Sequence, residues 1–152
     1  CAPHWAELTR MARVSTYLNF MGNTFEAFEF YRGVFGTEYL APPTRFRDMP
    51  GGAPPLPEHE LDMILHIELP ILGGHVLMAT EMLASAGHTL ERGNNVSINL
   101  EPDSRAEADD IYSRLSVGSL DATGMAVMPW GAYWCSFIDR FGIRWMINAP
   151  VD

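Results

Sequence analysis

The chain has 152 residues, 47% of them hydrophobic, with 10 Lys and Arg against 19 Asp and Glu for a formal net charge of −9. Such a length suits one domain with a sizeable core, and the apolar content excludes a disordered chain. The acidic balance would repel a phosphate backbone, which excludes nucleic acid as a partner, and no apolar run reaches the roughly 18 residues of a membrane helix.

The first residues, Cys1 to Arg13, contain no apolar core of an export signal. Met11-Ala12-Arg13-Val14 has the look of a natural start, so residues 1–10 are expected to be an N-terminal extension or a cloning remnant. Val14 to Phe20 alternates in the manner of a strand, with β-branched and aromatic residues. Thr24 is placed to cap a helix in which Phe28, Tyr31 and Phe35 recur at helical spacing, and Gly36 closes it. Thr37 to Leu40 and Thr44 to Phe46 read as a short interrupted strand. Met49 to Asp62 is rich in proline and glycine and reads as a long loop. Met63 to Leu69 and His75 to Thr80 read as a strand pair joined by a turn at Leu72-Gly73-Gly74, and residues 81–94 as a polar connection.

The pattern then starts again. Asn95 to Leu100 is a predicted strand, Ser104 can cap a helix running to about Ser116, and Met125–Met128, Ala132–Ile138 and Ile143–Asn148 are three further strands. The motif Leu18-Asn19-Phe20 recurs as Ile98-Asn99-Leu100, 80 positions on, and Glu26-Ala27 with Tyr31 recurs as Glu107-Ala108 with Tyr112, 81 positions on. Gly74 to Met78 likewise corresponds to Gly142 to Met146. The common order of strand, helix and strands makes this a duplication. The predicted fold is therefore α+β, one domain over 11–152 built from two tandem βαβββ modules, 11–88 and 93–152.

This layout resembles the vicinal oxygen chelate superfamily of glyoxalase I, extradiol dioxygenases and the fosfomycin- and bleomycin-resistance proteins. It is most similar to the PhnB-like branch, through Ser15 to Phe20, Glu26-Ala27, Phe30-Tyr31, Phe35-Gly36, Pro55-Leu56-Pro57-Glu58, Gly73 to Met78, Gly93-Asn94-Asn95, Trp130-Gly131 and Asp139 to Ile147. The resemblance implies a curved mixed sheet around a concave pocket, helices on the convex side, and a homodimer. The methyltransferase label once given to that branch finds no support, because no Gly-rich loop opens a helix of a nucleotide-binding sheet.

Strand alternation divides each predicted strand into two faces. Val96, Ile98 and Leu100 suit the helix side, which leaves Asn95, Ser97 and Asn99 toward the pocket; the repeat places Leu18 and Phe20 on the helix side and Tyr17 and Asn19 inward. The same reading sends Val76, Met78 and Thr80, and Arg144, Met146 and Asn148, inward, with Trp130 at a strand boundary as a pocket wall or an interface residue. The expected ligand-orienting set is thus Tyr17, Asn19, Asn95, Ser97, Asn99, Trp130, Arg144 and Asn148, with Met78 and Met146 shaping the cavity.

In metal-using relatives the ligand positions fall near Ser15 or Thr16, Met78, Asn95 or Ser97, and Met146. None is His, Asp or Glu, so no metal and no other cofactor is expected. His66 and Glu68 share a strand face and could hold a displaced metal or move a proton, although two polar residues on a half-exposed face is the plainer reading. His75 reads as a turn-end residue, and Cys135 as a small apolar one rather than a nucleophile. The expected protein is a cytoplasmic homodimer that binds a small organic molecule, in sequestration or resistance. The acidic balance suits a cationic ligand. The alternative is a lyase, isomerase or dioxygenase of the same superfamily.

Overall fold

The computed structural model describes residues 12–152, and the expectation for residues 1–10 lies outside them. The first module runs β1 (Thr16–Phe20), α1 (Thr24–Phe35), β2 (Thr44–Arg45), β3 (Ile64–Pro70) and β4 (Val76–Glu81), with a one-turn helix, α2 (Glu58–Leu61), in the proline-rich loop. The second runs β5 (Ile98–Leu100), α3 (Arg105–Leu115), β6 (Ala126–Val127), β7 (Tyr133–Ile138) and β8 (Arg144–Ala149). Their four-stranded sheets have the same order, β1-β4-β3-β2 and β5-β8-β7-β6. In each the first strand lies parallel to the last and the other pairings are antiparallel. The duplication read from the sequence is therefore a duplication of topology. The sheets are not one continuous ladder: β1 and β5 are each an edge strand.

Register refines the repeat. Leu77 pairs with Thr16, whereas Trp145, its counterpart by the glycine-led motif, pairs with Ile98. The sequence match aligns Ile98 with Leu18, so the two modules differ by a slide of two residues. A slide of two leaves every side chain on its original face, since the strand period is two. The face assignments therefore survive a register that the sequence match does not foresee.

Other expectations change. Thr24 is the first helical residue rather than the cap, and Asn23, at the cap position, offers no side-chain bond. The helix start is instead closed from a distance. Buried Glu81, at the end of β4, accepts hydrogen bonds from the Gly22 and Thr24 amides at 2.7 and 3.1 Å, which also places a carboxylate at the positive helix end. Ser104 does cap α3, accepting from the Glu107 amide at 3.1 Å. The strand expected from Asn95 begins only at Ile98, so Val96 has no ladder partner and lies 74% exposed instead of packing on a helix. Thr37 to Leu40 is irregular, tied to β3 by two bonds, from the Leu40 amide to the Glu68 carbonyl and from the Thr37 hydroxyl to the Pro70 carbonyl at 2.6 Å.

One apolar core serves both modules. Ala27, Phe28 and Tyr31 of α1 share it with Leu77 and Ala79 of β4, Ala108 and Leu115 of α3, and Trp145 and Ile147 of β8. The Tyr31 ring meets Trp145 edge-on at 5.7 Å between centroids. At its centre is Asp139, 1% exposed in the β7–β8 turn. Its Oδ1 accepts from the Phe141 and Ile143 amides, and its Oδ2 from the Tyr31 hydroxyl at 2.5 Å and Trp145 Nε1 at 2.8 Å. Four donors thus converge on one buried carboxylate, which is how a lone charge is held in an apolar interior.

Candidate functional site

The faces turned away from the helices carry the polar residues. On the first sheet Tyr17, Met78 and Glu68 form one row across β1, β4 and β3, because Met78 pairs with Tyr17 on one side and Glu68 on the other. On the second, Asn99, Met146 and Ser136 form the corresponding row across β5, β8 and β7. Each row has a thioether at its centre and hydrogen-bonding groups at its flanks. Tyr17 is 50% exposed and Met78, Met146 and Glu68 are half-buried, so both faces are open to a ligand or a partner.

The first sheet holds a chain of hydrogen bonds. The Tyr17 hydroxyl lies 3.2 Å from His66 Nδ1, and His66 Nε2 lies 2.9 Å from Glu68 Oε1. When the Glu68 carboxylate accepts from Nε2, the other nitrogen of a neutral imidazole, Nδ1, is left to accept from the tyrosine. Partial burial and the Glu68 charge raise the Tyr17 pKa above the ordinary tyrosine value, which keeps it a donor. The sequence pairs His66 with Glu68 but does not join Tyr17 to them. β4 lies between their strands, and no local spacing signals a contact across it.

Where the modules meet, a cavity of about 530 Å³ opens between Thr16–Asn19 of β1, the Thr89–Gly93 stretch with Asn95, Val96 and Ile98, and Phe141–Arg144 at the start of β8. It gathers Tyr17, Asn19, Asn95 and Arg144 from the expected set. A second cavity, about 460 Å³, lies at the β1 and β5 edges and takes Ser97 and Asn99. His75 lines it too, its Nε2 2.8 Å from Thr16 Oγ1, so it holds β1 rather than merely ending a turn. Asn148 Nδ2 donates to Asn99 Oδ1 at 2.6 Å. Met78, Met146, Asn148 and Trp130 line neither cavity; Trp130 is 67% exposed and packs edge-on against Trp134.

Arg92 is a residue that sequence reasoning misses. It belongs to the connection read only as polar, yet it lines the first cavity and lies across Gly142: a Cβ added there would fall 2.6 Å from its guanidinium carbon. With φ at +89°, Gly142 both makes the left-handed turn and leaves the space that Arg92 fills.

At the positions that the resemblance marks for a metal ion, the side chains are hydroxyl, amide and thioether. The Ser15 hydroxyl lies 3.9 Å from the Met78 sulfur, and Met146 stands between Asn99 and Ser136. Hydroxyl, amide and thioether groups do not make a good divalent site. His66 and Glu68 are two possible ligands, and among the described residues no group of three His, Cys, Asp or Glu comes together.

No family model matches the sequence, and no curated protein matches it; solved structures do. Protein PA1353 from Pseudomonas aeruginosa shares 31% identity over 93% of this chain and 100% of its own, with a TM-score of 0.78. The PhnB protein from Bacillus cereus shares 18% over 91% and 99%, TM-score 0.70, and the fosfomycin resistance protein FosX from Listeria monocytogenes 12% over 94% and 96%, TM-score 0.61. Paired βαβββ modules flanking a small-molecule-sized cavity define the glyoxalase-like class. The chain belongs to one family with the Pseudomonas protein, and it shares its fold with the PhnB protein, with FosX and with a glyoxylase/bleomycin resistance protein/dioxygenase domain from Frankia.

Proposed function

We propose that this chain binds a small organic molecule at the junction of its modules without the metal of its superfamily, as a sequestering or resistance protein. The observation that carries the reading is the first cavity. It combines apolar walls with Tyr17, Asn19, Asn95 and Arg144, the mixture of burial and few orienting polar groups that ligand sites use. The donor set at the superfamily's metal positions supports metal-free binding. The open sheet faces support a homodimer, in which a second protomer covers Tyr17 and Trp130. The cytoplasm, which needs no disulfides, suits the buried free Cys135.

The test is metal analysis of the purified protein, a thermal-shift scan over Ni, Zn, Mn and Fe, and calorimetry with small organic ligands. Binding that persists in chelator and weakens in Asn95→Ala or Tyr17→Phe is the expected result. A stoichiometric divalent metal lost in His66→Ala or Glu68→Ala would overturn the metal-free reading.

A second reading, an isomerase or lyase of the superfamily, is favoured by the Tyr17–His66–Glu68 chain, in which the oriented imidazole could take a proton through the tyrosine. It requires turnover with a bell-shaped pH profile, abolished in His66→Ala.

A further inference from the structure

We propose that the first cavity is an oxyanion site, its ligand a small organic acid whose carboxylate or phosphoryl group is held by Arg144 and Arg92. The proposal rests on the binding reading above and names the ligand class for the same cavity. It reverses the expectation of a cationic ligand that net charge alone suggests.

Three observations carry it. The Arg144 Nε is shut off from solvent and has no hydrogen-bond partner, while the residue lines the cavity. A buried guanidinium hydrogen without an acceptor is rare, and it shows that this guanidinium is not committed to a partner among the described residues. Second, Arg92 is laid over the Gly142 turn, which leads into Arg144, and both arginines line the one cavity, from the connection and from β8. Third, most other arginines have their guanidiniums engaged. Arg32, Arg47, Arg114 and Arg140 each make an ion pair, and Arg45 and Arg105 donate to main-chain carbonyls. Neither Arg92 nor Arg144 has an ion pair among the described residues. In a chain with 19 acidic and 10 basic residues carboxylates are plentiful, so two arginines that line one cavity without an ion pair among the described residues stand out.

Glu91 also lines this cavity and is the one carboxylate there. It leaves a positive balance of one, which an anion neutralises. Guanidinium forks match the paired oxygens of carboxylate and phosphoryl groups, and such charge-assisted bonds strengthen away from water. Leu18, Met82, Ile98 and Phe141 supply apolar wall for the body of the ligand, and the Asn19 and Asn95 amides can bond to further oxygens. A volume of about 530 Å³ admits a molecule with an aromatic or short aliphatic body.

The test is calorimetry on the full chain at low ionic strength with four probes of one shape: benzoate, phenylphosphonate, benzyl alcohol and benzylammonium. Benzoate and phenylphosphonate are expected to bind more tightly than the other two. The stronger of the pair tells a carboxylate site from a phosphoryl site. Arg144→Gln is expected to weaken the anions about tenfold or more, and Arg92→Gln to weaken them less. Arg144→Lys, which keeps the charge but loses the fork, should recover part of the loss and guards against a fold defect. Anions that bind no better than benzyl alcohol, or equally well in both Gln variants, overturn the oxyanion site. If benzyl alcohol or benzylammonium still binds and is weakened by Asn95→Ala, only the anion assignment falls; if no probe binds, the binding reading falls with it.

Discussion

Replacing Tyr31 with Phe removes one oxygen from the centre of the molecule and should show how far the two modules depend on each other. The hydroxyl donates to Asp139 Oδ2 at 2.5 Å, from a helix of the first module to a turn of the second, 108 positions along the chain. The ring stays, with its contacts to Phe28, Phe141 and Trp145. The loss is one hydrogen bond to a buried carboxylate, about 1.5–3 kcal/mol, and for a domain of this size each kcal/mol moves the melting midpoint roughly 2–4 °C. Tyr31→Phe should therefore melt about 3–12 °C below the parent. Asp139→Asn should cost more, about 3–5 kcal/mol, because an amide cannot accept from four donors and turns its NH₂ toward groups that are themselves donors. Chemical denaturation followed by both far-UV circular dichroism and tryptophan fluorescence measures each. The pH dependence gives a separate check. Burial, and then Asp139, raise the Tyr31 pKa well above the ordinary tyrosine value. The phenol's contribution is thus complete below the unfolded value of about 10 and is lost as pH rises beyond it. The parent should lose stability above pH 10 faster than Tyr31→Phe does. A Tyr31→Phe variant within about 0.5 kcal/mol of the parent, or Asp139→Asn no weaker than Tyr31→Phe, would refute the claim that this carboxylate ties the modules together.

The buried Glu60 accepts from the Ser85 amide at 3.0 Å and from the Ser85 hydroxyl, which hold its pKa below the ordinary glutamate value and pin the proline-rich loop to the Ala84–Ala86 turn. That stability is present above the unfolded value of about 4.3 and is lost as pH falls through the lower folded value; Ser85→Ala should flatten the acid limb of a stability–pH curve, and an unchanged limb would count against the bond. The Cys135 thiol is buried, and burial pushes its pKa up to about 11. It should resist iodoacetamide at pH 8 in the native state and react only after unfolding; prompt native labelling would show that β7 opens.

What could be read along the chain was periodic. Alternation assigned Tyr17, Asn19, Met78, Met146 and Asn148 to the faces away from the helices, and the two-residue slide between modules left those assignments intact. Where the pattern was short it misled. Asn95 to Leu100 has the alternation of a strand, but only Ile98 to Leu100 finds hydrogen-bond partners on β8, and Val96 is left exposed. What escaped the sequence was every contact made by one side chain reaching another element. Glu81 caps a helix that begins 57 positions earlier, and Tyr17 reaches His66 across an intervening strand. Asp139 looked like an ordinary turn residue, because its role depends on a tyrosine and a tryptophan brought to it by the fold.

Arg92 and Arg144 carry that distinction into the ligand site. The net charge of −9 describes the surface averaged over the whole chain, and from it a cationic ligand was the natural expectation. A ligand, however, meets only the charges that line its cavity. There the count is two guanidiniums to one carboxylate, opposite in sign to the whole. Gly142 bears on both arginines because it has no side chain: the same left-handed turn that leads into β8, and so into Arg144, leaves the hollow in which Arg92 lies. The glycine was legible as a turn residue. Its second consequence, room at the cavity wall for an arginine from the connection, exists only once the chain has folded.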